Sequence, residues 1–136
     1  MNTDTLSLLI QKAAEARTKS YAPYSDFSVG AALLTADGSI FTGANIESAT
    51  HTPTVCAERV AFFSAIHAGH RDFTAIAIVG GSNQRPVDTF CPPCGVCLQV
   101  MSEFCKGDFS VILTDGKSRR VLTLDELLPH RFSLGV

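Results

Sequence analysis

Residues Cys56–Gly81, CAERVAFFSAIHAGHRDFTAIAIVGG, contain two elements and the break between them. Thr54 stands where an N-cap belongs for a helix that begins near Cys56 and runs to Ala68, with Gly69 as its stop. Phe73–Gly81 is then a short, nearly continuous apolar run, the pattern of a buried strand. Downstream, the loop SNQRPVDTFCPP leads to a second helix over Gly95–Cys105, the strand-like SVILT, a turn at Asp115–Gly116 and a short helix around Asp125–Leu128. Upstream, SVGAALLT and SIFTGANI flank the turn ADG and predict a β-hairpin, Ser28–Thr35 and Ser39–Asn45. Before it, Leu6, Leu9, Ile10, Ala13 and Ala14 recur at helical spacing across Asp4–Lys19, after candidate caps at Asn2 or Thr3. Strands alternating with helices predict an α/β fold with helices on both faces of the sheet, and the initial hairpin makes that sheet mixed.

The chain of 136 residues, 46% hydrophobic and 18% charged, suits one domain, 1–136, with a real core. No repeat, low-complexity tract or linker divides it. MNTDTLSLLIQKAAEARTKS has an acid near its start and no basic region ahead of an apolar run, and no window approaches the roughly 18 apolar residues of a membrane span. The expectation is a soluble, cytoplasmic protein without membrane contacts. A net charge of −2 offers no general attraction for phosphate backbones, which disfavours a nucleic-acid partner. Five cysteines cannot all pair with one another, and in a reducing compartment they stay as thiols, which points to metal binding or catalysis.

Three of those thiols fall in CPPCGVC, Cys91–Cys97. Cys56 sits at one expected helix start, and Cys94 and Cys97 straddle the next, where free N–H groups and the helix dipole stabilise thiolates. Cys56, Cys94 and Cys97 would fill three corners of a tetrahedral zinc site and leave the fourth open to water, the pattern of a catalytic zinc. Glu58, two residues beyond Cys56, then becomes the candidate general base. Two other readings of the spacing stay open: a redox dithiol, or a four-cysteine structural zinc completed by Cys91 or Cys105. Cys105 is more than two turns from Cys97 and reads as a small buried hydrophobe, while Pro92 and Pro93 stiffen the backbone that would bring Cys91 to the metal.

The sequence resembles the small, homotetrameric, zinc-dependent cytidine deaminases over nearly its full length. The resemblance is carried by PYSDFSVGAALLTADGSIFTGANIES, CAER, PCGVC and ELLP. In zinc deaminases a first ligand stands two residues before a non-ligand Glu that acts as acid and base, and a P-C-x-x-C supplies the remaining ligands. Cys56–Glu58 and Pro93–Cys97 match that signature. The resemblance implies a three-layer α/β/α sandwich around a mixed, about five-stranded sheet, and one Zn²⁺ per subunit. It implies hydrolytic deamination of cytidine and 2′-deoxycytidine in pyrimidine salvage, with Glu58 moving a proton from the activated water to N3 of cytosine.

By the same resemblance, Asn45 and Glu47 in GANIES match residues that bind the ribose 3′-hydroxyl, and Phe27 matches an aromatic that packs on the nucleoside. Phe132 matches a C-terminal aromatic that reaches the pyrimidine in a neighbouring subunit, so that active sites are shared across a homotetramer. Two positions depart from the pattern. Leu98 stands where many relatives have Arg, which leaves Arg59 as the cation expected to drain charge from the thiolates; His51 stands where many have Tyr near an adjacent subunit's substrate. The alternatives are a deaminase of another aminopyrimidine nucleoside such as blasticidin S, against which Glu47 speaks, and a non-catalytic zinc or redox module, which leaves Glu58 without a purpose.

Overall fold

The computed structural model describes residues 1–135. Helix α1, Thr3–Arg17, opens at Asn2, whose side-chain oxygen accepts a hydrogen bond from Thr5 N at 2.8 Å. Asn2 is thus the cap, and the helix ends two residues before the expected Lys19 because Thr18–Lys19 turn the chain toward the sheet. The hairpin is β1, Phe27–Thr35, and β2, Ile40–Ala44, closed by Gly38 at φ +92°. Helix α2, Ala57–His67, is followed by Gly69 at φ +100° and β3, Phe73–Ser82. Then come α3, Gly95–Phe104, β4, Ser110–Thr114, β5, Arg119–Thr123, and α4, Leu124–Leu127.

The five strands lie in the order β2-β1-β3-β4-β5, with β3–β4 parallel and the other pairings antiparallel. Alternate side chains of the central strands serve opposite faces. Ala32, Ala75, Ala77, Val79 and Ile112 meet Leu9 and Ala13 of α1; Ala31, Leu33, Ile76, Ile78, Val111 and Leu113 meet Ala61, Phe62 and Ala65 of α2 with Leu98 and Met101 of α3. The expected α/β/α sandwich around a mixed five-stranded sheet is the fold observed. Two glycines set how closely the layers approach. A Cβ on Gly30 would collide with the Ala13 carbonyl and come within 2.5 Å of Arg17 N, and one on Gly43 would come within 2.6 Å of Ala61 N. The ends of α1 and α2 therefore rest directly on sheet backbone.

Strand β5, RRVLT, has no counterpart in the sequence reading. It is an edge strand with its first three residues exposed, so it lacks the apolar signal of an interior strand. No helix of the described residues is long and apolar enough to cross a membrane.

Candidate metal centre and adjoining cleft

Helices usually begin at Ser, Thr, Asp or Asn, whose side chains accept a hydrogen bond from the first turn. Here α2 and α3 both begin at cysteine, Cys56 at φ −75°, ψ 154° and Cys94 at φ −72°, ψ 168°, and neither side chain makes a capping bond. Cys56 rather than Thr54 is thus the N-cap of α2; the Thr54 hydroxyl instead accepts from Ser48 N at 3.0 Å. Both thiols are free to turn toward one another beneath two helix starts. Cys97, in the first turn of α3 and almost fully buried, completes the group: the three sulfurs lie within 4.8 Å of one another, with Cys56 Sγ and Cys94 Sγ 3.9 Å apart.

This spacing fits a metal. A tetrahedral ion with Zn–S bonds of about 2.3 Å sets its sulfurs about 3.8 Å apart. Among the described residues these are the only Cys, His, Asp or Glu side chains grouped closely enough to hold an ion. The cluster also shows the electrostatics of a cation site. Hydrogen bonds with Cys97 and with Arg59, whose Nη2 lies 3.4 Å from Cys56 Sγ, pull the Cys56 thiol down to about 5. The proton shared between the two sulfurs is held on Cys97, which is pushed up by that hydrogen bond and by burial. A bound cation takes the place of that proton. Arg59 makes no ion pair with a carboxylate among the described residues; its hydrogen bond goes from Nη2 to Cys56 Sγ, while its Nε is buried without a partner.

Glu58, only 4% exposed in the first turn of α2, is the one buried carboxylate among the described residues. Burial raises its carboxyl to about 7, the range in which a group both takes and gives a proton at neutral pH. Glu58, Cys56 and Cys94 form one end of a cleft of about 350 Å³ whose walls include Phe27, Val29, Asn45, Glu47, Cys91 and Pro92. Cys91 lines this cleft outside the sulfur cluster, with its thiol raised by burial to about 11. Cys105 caps α3 at its far end, where burial raises it to about 12.

The polar side chains that line the cleft away from the thiols are hydrogen-bonded to backbone. Asn45 accepts from Val29 N at 2.9 Å through Oδ1 and donates to Phe27 O at 2.9 Å through Nδ2, bracing the first turn of β1. Glu47 accepts from Tyr24 N at 3.0 Å, from Ser25 N at 3.1 Å and from Ser25 Oγ. These bonds hold its carboxyl below the usual range, the Ser25 hydroxyl contributing most. His51, at φ +63°, lies outside the cleft, in a hollow of about 270 Å³ that shares Ser25, Glu47 and Thr54 with it. Phe132 is not brought to this cleft; it is 67% exposed, and its carbonyl accepts from Gln99 Nε2 of α3 at 3.0 Å. The sequence reading missed Ser25, Val29 and Pro92 as cleft residues. For Ser25 a signal was available, since a hydroxyl in the turn before Phe27 is well placed to cap a neighbouring acid.

Residues 3–113 match the family described as the cytidine and deoxycytidylate deaminase zinc-binding region. The chain is 49% identical to a cytidine deaminase of Halalkalibacterium halodurans over 93% of its own length and 92% of the relative's. It is 34% identical to a blasticidin-S deaminase of Bacillus cereus over 77% of its length and 76% of the relative's. The crystal structure of a cytidine deaminase from Burkholderia pseudomallei, 45% identical, superposes with a TM-score of 0.85 over 97% of this chain and 100% of that one. One zinc ion per subunit is the metal complement that the thiol cluster and this family share. The chain belongs to the zinc-dependent cytidine and deoxycytidylate deaminase family.

Proposed function

We propose that this protein hydrolyses cytidine and 2′-deoxycytidine to uridine and 2′-deoxyuridine, releasing ammonia. The observation that carries the reading is the buried Glu58, raised to about 7, beside three converging thiols in a cleft whose walls include Phe27, Asn45 and Glu47. Zinc, when bound by Cys56, Cys94 and Cys97, makes hydroxide available at neutral pH. Glu58 takes the proton released in forming that hydroxide and delivers it to N3 of cytosine, which makes C4 more electrophilic. Oxygen adds to C4, and Glu58 then takes the proton left on that new hydroxyl and gives it to the amino group, so that the C4–N bond breaks, a carbonyl remains at C4, water is consumed and ammonia leaves. Phe27 packs against the nucleoside, and Asn45 and Glu47, already fixed by their backbone bonds, present their remaining acceptor and donor capacity to the ribose 3′-hydroxyl.

The substrate is a free nucleoside and not a polynucleotide, in keeping with the net charge of −2. The chain, one domain over 1–136, works in the cytoplasm in pyrimidine salvage. It assembles as a homotetramer with shared sites: Phe63 and Val96 are 49% and 58% exposed on the α2–α3 face and would be covered by a second copy, and Phe132, 67% exposed, would enter a neighbour's cleft. In the partner's site His51 takes a polar position. The likeness to a blasticidin-S deaminase keeps that nucleoside antibiotic as a second candidate substrate.

The deciding experiment follows the ultraviolet absorbance of cytidine on addition of zinc-assayed protein, with Glu58→Ala as control. Conversion to uridine that the substitution abolishes supports reaction and acid/base residue together. Bound zinc with no turnover of cytidine rejects the reading, and turnover of blasticidin S alone replaces it with the second.

A further inference from the structure

Arg17 is the last residue of α1, half-buried, and Gly30 lets the helix deliver it onto the sheet with no side chain between. Its guanidinium spans two strands. Nε donates to Ser28 O of β1 at 2.7 Å, and Nη2 donates to Gly81 O at 2.8 Å and Ser82 O at 3.2 Å of β3. Among the described residues no carboxylate forms an ion pair with it. A cation whose only partners are three carbonyls is tying backbone together.

The tie lies at the end of the β1–β3 ladder, where Phe27 pairs with Ser82 and Ser28 with Gly81. Phe27 forms the wall of the cleft on the β1 side. On the β3 side, the strand end at Gly80–Gly81 backs the loop that carries Cys91, since a Cβ on Gly80 would come within 2.7 Å of Cys91 Sγ. Asn45 braces the same stretch of β1 from its other edge, through Phe27 O and Val29 N. Residues 27–29 are therefore gripped from both sides, by Asn45 toward β2 and by Arg17 toward β3.

Resting on the nucleoside reading above, we propose that Arg17 is a positioning residue for the substrate. By fixing β1 to β3 at Ser28, Gly81 and Ser82, it sets the separation between Phe27 and the Cys91 wall, and so the width of the slot that receives the pyrimidine nucleoside. A planar fork with several N–H donors reaches carbonyls on both strands at once, which a lysine ammonium on a flexible stem does not reproduce.

The test compares Arg17→Met, which keeps the apolar stem and removes the donors, with Arg17→Lys, in steady-state assays on cytidine with zinc content and thermal melting measured in parallel. The expected result is KM for cytidine raised roughly tenfold in Arg17→Met with kcat within about twofold of the parent and zinc still stoichiometric, and a smaller rise in Arg17→Lys. In a Phe27→Ala background the same Arg17→Met change should leave KM nearly unaltered, because the wall it positions is gone. A lower melting temperature with KM unchanged overturns the inference and leaves Arg17 a purely structural tie. Should Arg17→Met fail to fold, Arg17→Lys with parental KM overturns it as well. If the parent protein does not turn over cytidine at all, the nucleoside reading falls and takes the inference with it, whereas an active parent with an insensitive KM removes the inference alone.

Discussion

At the metal end of the cleft every side chain of consequence belongs to one of two short segments, Cys56–Arg59 and Cys94–Cys97, each at a helix start. The other end is assembled from Arg17, Ser25, Phe27, Asn45 and Glu47, which meet only because α1, β1, β2 and β3 are folded together. At the first end the polar atoms are held ready for a ligand; at the second most are engaged with backbone N–H and carbonyl groups. Chemistry can be encoded locally, because a helix start orients its own cap residue. The shape of a binding slot cannot, because it depends on distances between strands.

The largest effects should fall at the metal end. Cys94→Ala removes one of three sulfurs and should lose both zinc, measured by metal analysis, and turnover of cytidine. Glu58→Ala should part these two readouts: turnover falls by at least about 10²- to 10⁴-fold while zinc stays stoichiometric. Loss of zinc with Glu58→Ala would make the carboxyl a structural support of the cluster and erase the distinction between ligand and acid/base residue.

The same contrast explains what could be read from the chain before its structure. The order of α1 to β4, the two helix starts and the thiol cluster follow from periodicity and spacing, which are local. Strand–helix alternation predicts helices on both faces of a mixed sheet and the thiol spacing predicts a zinc site; the resemblance decides among the readings that spacing leaves open, and the alternation of apolar side chains along β1, β3 and β4 shows why the sequence supports three layers. Strand β5 was not legible, because an exposed edge strand needs little hydrophobic patterning. Thr54 is the better cap in isolation, yet α2 starts at Cys56, which makes no capping bond, because the Thr54 hydroxyl is engaged with Ser48 N in the preceding loop. Asn45 and Glu47 were placed by resemblance, but their hydrogen bonds to Phe27, Val29, Tyr24 and Ser25 are contacts that no linear pattern contains.

With zinc removed by a chelator, the burial of Glu58 becomes visible as a pH dependence of stability. The ordinary value of 4.5 is raised to about 7 in the folded chain, so between these values the folded state binds more protons than the unfolded one. The contribution is fully present below about 4.5 and is lost as pH rises toward 7, a fall on the order of 3 kcal/mol. The Cys56 thiol, pulled down to about 5, contributes a slope of opposite sign in the same window, so the Glu58 part is read as the difference between denaturant melts of the metal-free parent and of Glu58→Gln at pH 5 and pH 7. An equal change with pH in the two proteins assigns the dependence to other groups.

At the nucleoside end the expected effects are smaller and structural. Asn45→Ala leaves Val29 N and Phe27 O without their side-chain partner and should lower stability by about 1–3 kcal/mol while raising KM for cytidine more than it lowers kcat. A loss confined to kcat would mean that Asn45 acts on the reacting atoms, and the two ends would no longer be separable.

The smallest effect, and the one that most sharpens the comparison, concerns Leu98. Three thiolates on one divalent cation leave a formal charge of −1, which opposes ionisation of water at the metal. Arg59 is the one side-chain cation in hydrogen-bond contact with the sulfurs among the described residues, and Leu98, 9% exposed, faces the α2–α3 core instead. Leu98→Arg adds a second guanidinium beside Cys97 and should shift the acid limb of the kcat profile to lower pH by less than about one unit, since each hydrogen bond to sulfur drains part of a charge. The change also replaces a core side chain, so the melting temperature should fall. A lower melting temperature with an unmoved pH profile would show that Arg59 and the two helix starts already supply all the compensation the thiolates need.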